Sequence, residues 1–397
     1  MLAKKYKDML TQKSVIRELS EFATARGKEI GYENVFDYSL GNPSIPVPQK
    51  LTDYLIKILN EENPIALHGY SPSLGIPEVK EKLAASLNRR FNMNYSGSHI
   101  FMTSGAAGAI AHAVRCVTEP GDEVLAFSPF FPEYIPYINH SGAVLKTVPA
   151  NTKDFQINFE EFDKMLTDKV AAVLINTPNN PSGVTYSEET LKRLAKILEE
   201  KSEEYGHIIY LISDEPYREI IFDGIKSPYP ASFYKYTLTC YSFSKSLSLP
   251  GERIGYVAVH PDCDDAETMV VMMGQISRGI GHNCPASLFQ LAVAENADLT
   301  ADLSVYETNM NILYDALIEL GFTCVRPNGT FYIFPKALEE DSVAFCKKAL
   351  KYDLILVPAD SFGCPGYFRM AYCIDTEKVR RSVAALKKFV ETEYPNR

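Results

Sequence analysis

Chemically reactive side chains follow two apolar, β-rich stretches of the sequence. Asp214 and Tyr217 come directly after the stretch 208–213, and Lys245 and Arg253 come after the next such stretch. Because ligands bind beyond the carboxyl ends of strands in an open parallel sheet, these positions predict a carboxylate, a phenol, an amine and a guanidinium around one crevice. Each residue alone would also suit a structural role, such as a helix cap or a surface ion pair. Their combination at strand ends favours a catalytic or binding site.

Small and turn-forming residues follow two further β-rich stretches. The segment 103–110 (TSGAAGAI) opens a helical pattern with small residues, which lets backbone N–H groups at a helix N-terminus approach an anion closely. Small residues also permit tight packing of a helix on a sheet, so this segment alone does not identify a site. The segment 176–183 (NTPNNPSG) predicts a tight turn, which either has no further role or aims Asn180 into the same crevice.

Several common enzyme classes and partners lack support in the sequence. It contains no G-x-G-x-x-G, G-x-x-x-x-G-K-[ST] or H-E-x-x-H motif, which argues against dinucleotide, nucleoside-triphosphate and zinc-protease sites, and we expect no metal. Lys and Arg number 40 against 50 Asp and Glu, and the net charge of −10 disfavours nucleic acid and anionic membranes as partners. The 8 cysteines form no C-x-x-C pair, and no apolar stretch is long enough to span a bilayer. We therefore expect a cytoplasmic enzyme that acts on small molecules.

Short β-rich stretches alternate with amphipathic helical patterns through the middle of the chain. The stretches are 123–127, 143–148, 170–176, 208–213, 236–242 and 254–260. This alternation predicts an α/β fold with a mostly parallel sheet covered by helices. The link before the stretch 254–260 is too short for a crossover helix, so this last strand is predicted to run antiparallel. We expect a large domain over 48–297 and a smaller α+β domain made from both termini, 1–47 and 298–397.

Together these segments resemble a known enzyme family. The motifs N-x-P-N-N-P-S-G at 176–183, D-E-P-Y at 214–217 and S-x-S-K-x-x-x-L-P-G-E-R-I-G at 242–255 are similar to those of class I and II aminotransferases, the fold-type I enzymes that use pyridoxal 5′-phosphate (PLP). The resemblance extends over nearly the whole chain and is closest to the aspartate aminotransferase-like group. It implies that the large domain binds PLP, and that the protein is a homodimer whose active sites are built from both subunits.

The resemblance assigns cofactor contacts to individual residues. It implies that Lys245 forms the Schiff base with the PLP aldehyde and moves the α-proton of the substrate, and that Asp214 pairs with the pyridine nitrogen. Asn180 and Tyr217 match the residues that hydrogen-bond the 3-oxygen of the ring. Phe131 matches the aromatic side chain that stacks on the ring, although a phenylalanine at this position also suits the hydrophobic core.

Further matches imply a phosphate site and a substrate site. The residues that match phosphate contacts are Gly105, Ala106, Ala107, Ser242, Ser244 and Arg253, together with Tyr70, which matches a tyrosine that reaches the cofactor phosphate of the other subunit. The residues that match substrate contacts are Gly41, Asn42, Asn176, Asn180 and Arg369. Among these, Arg369 matches the arginine that binds the α-carboxylate through two parallel hydrogen bonds.

The implied reaction is transamination. An L-amino acid exchanges with Lys245, loses its α-proton and leaves as a 2-oxo acid, while its amino group stays on the cofactor. A second 2-oxo acid, such as 2-oxoglutarate, then accepts the amino group, so the resemblance implies ping-pong kinetics.

The identity of the amino donor depends on Arg278. This residue precedes Asn283 by five positions, a spacing at which aspartate aminotransferases carry an arginine that pairs across the dimer with the distal carboxylate of the substrate. Cys284 departs from the family pattern, which has proline there, and Arg278 would also suit an interface ion pair. We interpret the sequence as favouring aspartate or a related amino acid. The alternatives are a PLP-dependent cysteine or cystathionine β-lyase, and a PLP-sensing regulator, which would need an attached DNA-binding domain.

Overall fold

Helices and strands alternate along the chain. The computed structural model describes residues 4–10 and 14–395. The α-helices of this part are α1 (Lys4–Met9), α2 (Val15–Ile30), α3 (Gln49–Glu61), α4 (Pro64–His68), α5 (Pro77–Phe91), α6 (Gly105–Val117), α7 (Tyr134–Asn139), α8 (Phe159–Met165), α9 (Glu188–Tyr205), α10 (Phe243–Ser246), α11 (Ala266–Ile280), α12 (Ser287–Glu295), α13 (Ser304–Glu319), α14 (Ser342–Ala349) and α15 (Thr376–Glu393). The strands are β1 (Phe36–Asp37), β2 (Ile100–Thr103), β3 (Glu123–Phe127), β4 (Val144–Val148), β5 (Val170–Asn176), β6 (Tyr210–Asp214), β7 (Thr237–Ser242), β8 (Gly255–Val259), β9 (Tyr332–Ile333), β10 (Leu354–Ile355), β11 (Val357–Pro358) and β12 (Phe368–Ala371). None of these helices is both long enough and apolar enough to cross a bilayer.

The central sheet has seven strands in the order β2-β8-β7-β6-β5-β3-β4. Neighbouring strands from β7 to β4 are parallel, and β8 alone runs antiparallel to both of its neighbours. This sheet confirms the predicted α/β fold with a mostly parallel sheet. It also confirms the reversed last strand: Ser242 ends β7, Gly255 begins β8, and the link between them is too short to cross over the sheet.

Helices cover both faces of the sheet because successive strand residues point into different cores. Leu174 of β5 packs with Ile110 of α6 on one face. The preceding residue, Val173, packs with Leu194 of α9 on the other face. Both faces are therefore apolar, as a parallel sheet between two helical layers requires.

The helix α9 begins after Ser187, which stands before Glu188 and Glu189 in a pattern typical of a helix start. The Ser187 hydroxyl accepts a hydrogen bond from the backbone N–H of Thr190 at 3.0 Å, which satisfies one of the free donors of the first turn. At the other end, Gly206 follows the helix with φ of 73°, a left-handed conformation that favours glycine. This pair of caps fixes the crossover between β5 and β6.

The parallel strands β5, β6 and β7 end on the polar residues Asn176, Asp214 and Ser242. The strand β6 begins two residues later than the predicted stretch and includes Asp214, which the sequence analysis put just after the strand. The register pairs Asn176 with Asp214 and Asp214 with Cys240. Sheet pairing therefore fixes the backbone of Asp214 on both sides.

Segments from both ends of the chain share a second core. The strand β1 pairs in parallel with β10, and β11, β12 and β9 form a three-stranded antiparallel sheet. Phe36 and Tyr38 are buried in one cluster with Leu313 of α13 and Phe389 of α15. The domain boundaries given above for the two units stay predictions.

Candidate active site

A cavity of about 520 Å³ lies at the carboxyl ends of β5, β6 and β7. The residues singled out from the sequence that line it are Gly41, Ala106, Ala107, Phe131, Asn176, Asn180, Asp214, Tyr217, Ser242, Ser244, Lys245, Arg253 and Arg369. They come from the central sheet, from the first turn of α6 and from the segments near both chain ends. The fold therefore brings the amine of Lys245 and the carboxylate of Asp214 to one cavity, as the sequence predicts.

Four of the residues singled out from the sequence do not line this cavity. Gly105 lies behind Ala106 and approaches Arg253, and Asn42 is exposed next to Gly41. Tyr70 follows α4 and is fully exposed, and Arg278 is exposed in the last turn of α11. The roles predicted for Tyr70 and Arg278 involve a second subunit, and they stay predictions.

Asp214 is a buried carboxylate with one oxygen unpaired. Its Oδ2 accepts a hydrogen bond of 2.6 Å from the Tyr134 hydroxyl and lies 3.3 Å from the amide nitrogen of Asn176, whereas Oδ1 has no hydrogen-bond partner among the described residues. Burial raises the pKa of the Asp214 carboxyl to about 7, the Tyr134 hydrogen bond opposes this rise, and the charge of Glu215 adds to it. A buried carboxylate oxygen without a donor is suited to receive one from a ligand.

Lys245 lies on α10, a single helical turn that follows β7 directly. Its Nζ donates a 2.7 Å hydrogen bond to the backbone carbonyl of Gly41. Burial lowers the pKa of Lys245 to about 8, and the positive charges of Arg253 and Arg369 lower it further. The amine therefore has a substantial neutral fraction near neutral pH, which a nucleophile requires.

Arg253 and two serines form an anion cradle beside α6. Its Nη1 donates to Ser244 Oγ at 3.3 Å, and its Nη2 donates to the carbonyl of Ser104 at 3.2 Å. Ser242 Oγ lies 2.8 Å from Ser244 Oγ. The left-handed Gly105, with φ of 78°, opens α6, and a Cβ there would lie 2.8 Å from Arg253 Nη2. Two hydroxyls, a guanidinium and the first N–H groups of a helix are the donors that a phosphate prefers.

Arg369 is 1% exposed and has no carboxylate partner among the described residues. Its Nη1 donates to Asn180 Oδ1 at 3.1 Å, its Nη2 donates to the carbonyl of Ser39 at 2.5 Å, and Nε has no partner in the described part of the chain. The guanidinium carbon lies 4.6 Å from the centroid of the Tyr332 ring. Burial lowers the pKa of Arg369, because a buried charge without a counter-ion is costly. An anionic substrate group would supply the missing counter-charge.

The cavity also contains residues that the sequence analysis did not select. They are Ser14, Ile16, Arg17, Ser20, Leu40, Ile110, Glu133, Tyr137, Pro216, Pro250 and Tyr332. The Tyr332 hydroxyl lies 3.1 Å from that of Tyr217, but the apolar stretch around Tyr332 indicates only a strand. Tyr134, which donates a hydrogen bond to Asp214, could have been selected from the sequence, because it stands three residues after the candidate Phe131 in the segment FFPEY.

Comparison with known proteins identifies the family. A family model described as aminotransferase class I and II matches residues 34–386. The chain belongs to this family. The resemblance stated from the sequence motifs is therefore confirmed.

Individual members of the aminotransferase family match over nearly the whole chain. A crystal structure of an amino transferase from Eubacterium rectale has a TM-score of 0.96 and 42% sequence identity, and the match covers 99% of this chain and 100% of that one. A probable aspartate/prephenate aminotransferase from Aquifex aeolicus is 30% identical over 93% of this chain and 94% of its own length. An aspartate aminotransferase from Bacillus subtilis is 30% identical over 93% of this chain and 95% of its own. The chain is an aminotransferase, and these matches do not favour the β-lyase alternative.

PLP is the cofactor of this family, and the cavity fits its three chemically distinct parts. The unpaired Oδ1 of Asp214 suits a protonated ring nitrogen, the cradle around Arg253 suits the phosphate, and the amine of Lys245 suits the aldehyde. Within residues 4–10 and 14–395, no group of three or more His, Cys, Asp or Glu side chains is arranged to hold a metal ion. The enzyme is therefore a PLP-dependent transaminase.

We expect Asp214→Asn to stabilise the cofactor-free protein by about 2 kcal/mol at pH 8. The folded carboxyl binds its proton more tightly than the unfolded one, so the free energy of unfolding of the wild type falls as the pH rises from about 4 to about 7. Asparagine removes this fall, and it also removes the charge that a ring nitrogen needs. Chemical denaturation of the apoprotein across this pH range measures the first effect, and titration with PLP measures the second.

The exposed Asp168 provides a matched control for this substitution. Asp168→Asn should leave the unfolding free energy unchanged across this pH range, because the Asp168 side chain stays in contact with water when the protein folds. An Asp214→Asn apoprotein that is less stable than the wild type from pH 4 to pH 8 would contradict the interpretation of Asp214 as a carboxylate held for a ligand.

Proposed function

We propose that Lys245, Asp214 and Arg369 form the reactive centre of this aminotransferase, which moves an amino group from an L-amino acid to a 2-oxo acid. One observation carries the proposal: a buried amine, a buried carboxylate and a buried guanidinium all lie in one cavity, and residues 4–10 and 14–395 offer no donor to one carboxylate oxygen and no counter-ion to the guanidinium. Each is costly to bury alone, and each finds its partner in a different part of the cofactor and substrate.

Lys245 holds PLP and moves a proton. Its Nζ would hold the cofactor through the aldehyde and, once a substrate amine has displaced it, would be the base that removes the proton from the substrate Cα and later returns it. PLP, when bound, supplies the electron sink that makes this proton removable. The lowered pKa of Lys245 leaves the lone pair available for both tasks.

Asp214 and Tyr217 fix the ring of the cofactor. Oδ1 of Asp214 would accept a hydrogen bond from the protonated ring nitrogen, while the Tyr134 hydroxyl donates to Oδ2 and so fixes the orientation of the carboxylate. Asn180 and Tyr217 reach the 3-oxygen, and Tyr332 supports the Tyr217 phenol from 3.1 Å. Phe131, which lines the cavity, would stack on the ring.

Arg369 orients the substrate. Its guanidinium binds the α-carboxylate, and its bonds to Asn180 and to the Ser39 carbonyl fix the plane in which the carboxylate lies. Asn176 and Gly41 line the same part of the cavity, with Leu40 as an apolar cover. Holding the carboxylate in one plane sets the Cα–H bond at a fixed angle to the ring, which lowers the entropic part of the barrier.

We expect Lys245→Ala and Lys245→Arg to abolish the visible absorption of the PLP-loaded protein and to lower turnover by at least 1,000-fold. Neither side chain supplies a neutral amine, although arginine keeps the positive charge. Absorption spectroscopy and a transaminase assay with aspartate and 2-oxoglutarate measure both effects, with the exposed Lys57→Ala as a control that should behave as wild type. A Lys245→Ala enzyme that still transaminates would contradict the role proposed for Lys245.

Acidic amino acids are the donors that we propose, with aspartate as the first candidate. Relatives that are about 30% identical are named aspartate aminotransferases, and two arginines are available for a distal carboxylate. Arg278 would reach the site from a second subunit. Arg17, on the first turn of α2, lines the cavity of its own subunit and has no ion-pair partner among the described residues. A carboxylate on the substrate would satisfy either guanidinium.

We expect replacement of the arginine that binds the distal carboxylate to lower kcat/KM for aspartate by about 30-fold, which corresponds to about 2 kcal/mol, and to leave kcat/KM for alanine nearly unchanged. Arg17→Gln and Arg278→Gln, assayed separately with both donors, identify which arginine acts. Glu133→Gln serves as the control for a charged residue at the same cavity and should leave the ratio unchanged. Equal losses for both donors in both arginine variants would refute acidic-donor selection.

A homodimer with shared active sites is part of the proposal, and the cytoplasmic location expected from the sequence stays a prediction. Ile65 of α4 is 85% exposed and Tyr70 is fully exposed, which is unusual for large apolar side chains in a folded protein. Tyr70 lines a depression together with residues 284–289. Contact of this surface with a second copy would cover it and would bring Tyr70 to the phosphate of the partner.

Mixing two inactive variants tests the shared sites. Tyr70→Ala and Lys245→Ala homodimers should each have little activity, whereas a mixed dimer contains one site with both residues intact. Refolding the two variants together at equal concentration should restore about one quarter of the wild-type activity, because half of the dimers are mixed and each has one working site. Sedimentation confirms the dimer. Absence of any recovery in verified mixed dimers would contradict the shared site.

A further inference from the structure

A buried ion pair lies on the side of the sheet away from the cavity and is not used by the proposed chemistry. Arg218 Nε lies 2.8 Å from Glu215 Oε2, with 4% and 2% of the two side chains exposed. Ser213 Oγ donates to the other carboxylate oxygen of Glu215 at 2.8 Å. Glu215 does not line the cavity, and Tyr241, which lies beside Arg218, packs in the core on the opposite face of the sheet from Cys240, the register partner of Asp214.

Aromatic rings enclose the Arg218 guanidinium. Its carbon lies 4.6 Å from the ring centroid of Tyr241, 5.2 Å from that of Tyr229 and 5.2 Å from that of Phe91. Nη1 lies 3.4 Å from the Tyr256 hydroxyl, and Nη2 has no hydrogen-bond partner among the described residues. We call these four aromatic residues the arginine cage. The cage joins α5, β7 and β8 to the turn after β6.

The ion pair closes the turn that carries two cofactor-facing residues. The backbone N–H of Arg218 bonds the carbonyl of Glu215 at 3.3 Å, so the same two residues are joined through backbone and side chains. Pro216 and Tyr217 lie inside this turn and line the cavity. A shift of Glu215 would therefore change the position of the Tyr217 phenol and the orientation of the adjacent Asp214 side chain, whose backbone the sheet holds.

The cage also contacts the helix that carries the reactive amine. The Tyr241 hydroxyl lies 2.9 Å from Ser246 Oγ on α10 and 2.9 Å from Glu219 Oε2. Ser246 is the neighbour of Lys245. One aromatic residue of the cage thus touches Arg218 on one side and α10 on the other.

Stability alone does not account for a charged pair at this place. Buried ion pairs can often be replaced by apolar side chains of similar volume without loss of stability, because the desolvation cost offsets the attraction between the charges. What such a pair provides is direction: Arg218 Nε holds one carboxylate oxygen of Glu215 and the Ser213 hydroxyl holds the other, so the carboxylate is fixed in a way that an apolar contact would not reproduce.

We propose that Arg218 is a positioning residue, which holds Glu215 from behind the sheet and thereby sets Asp214 and Tyr217 against the cofactor. The proposal rests on the roles assigned to Asp214 and Tyr217 above. Displacements of about 1 Å at a reacting site cost up to about 100-fold in rate. An ion pair that fixes the turn 215–218 can therefore have a measurable effect on the reaction.

The test compares three variants. Arg218→Met with Glu215→Leu replaces the pair by apolar side chains, Arg218→Lys keeps the charge without the planar fork, and Arg90→Met removes the outer Arg90–Glu219 pair of 2.8 Å as a matched control. Thermal unfolding of the apoprotein, the dissociation constant for PLP and the pH midpoint of the visible absorption are measured for each. The absorption midpoint reports the surroundings of the ring and does not respond to a change in stability alone.

We expect the double variant to unfold near the wild-type temperature, to bind PLP at least 10-fold more weakly and to shift the absorption midpoint. Arg218→Lys should lie between the double variant and the wild type, and Arg90→Met should bind PLP as the wild type does. A folded double variant with wild-type affinity and midpoint would overturn the proposal. If the double variant does not fold, Arg218→Lys decides, and wild-type behaviour of that variant overturns the proposal.

Failure of this inference is distinguishable from failure of the proposed residue roles. Asp214→Asn and Tyr217→Phe test those roles directly through the same PLP affinity and absorption midpoint. If these two variants change both quantities while the Arg218 variants do not, the positioning role alone is wrong. If Asp214→Asn and Tyr217→Phe behave as wild type, the roles themselves are wrong and the positioning proposal is overturned with them.

Discussion

The burial of unbalanced charge at the carboxyl edge of the sheet is the constraint on which the site depends. Within the described part of the chain, Asp214 keeps one oxygen without a donor and Arg369 has no carboxylate partner, and Lys245 is buried with a lowered pKa. Each group would be more stable in water, so the rest of the fold must hold it in place. Sheet pairing fixes the backbone of Asp214. Lys245 and Arg369 are held by the hydrogen bonds that they donate to backbone carbonyls of residues 39–41. A ligand that carries the complementary charges would relieve the cost of burying these groups, and it would bind more tightly for that reason.

Much of the fold and of the site was predictable because the signals are local. The strand that ends at Asn176, the N-cap Ser187 and the reversed strand after Ser242 all follow from short patterns and a link length. Lys245 and Asp214 follow from their place after apolar stretches. Their convergence on one cavity then follows from the parallel order of the strands, which the alternation of strand and helix predicts.

Other features of the site depend on contacts between distant segments. Tyr332 approaches Tyr217 across 115 residues, and Ser39 binds Arg369 across 330, so no periodicity near either residue indicates the contact. Arg17 belongs to an ordinary amphipathic helix, and only the path of α2 past the cavity distinguishes it from a surface arginine. Asp214 lies within β6 and not after it, as the sequence analysis placed it, because its backbone pairs with residues of β5 and β7. Tertiary packing, which a linear pattern does not encode, decides each of these.

The hydrogen bonds between the N-terminal segment and the site have a consequence for access. The carbonyl of Gly41 accepts from Lys245 and the carbonyl of Ser39 accepts from Arg369, so residues 39–41 are tethered by the two cations that the reactants require. A covalent bond at Nζ of Lys245 takes up a donor that otherwise reaches the Gly41 carbonyl. Arg369 still has Nε, which lacks a partner among the described residues, to offer to a carboxylate, and it can keep its bond to Ser39. Loading the enzyme therefore loosens the tether at Gly41 and leaves the tether at Ser39 in place.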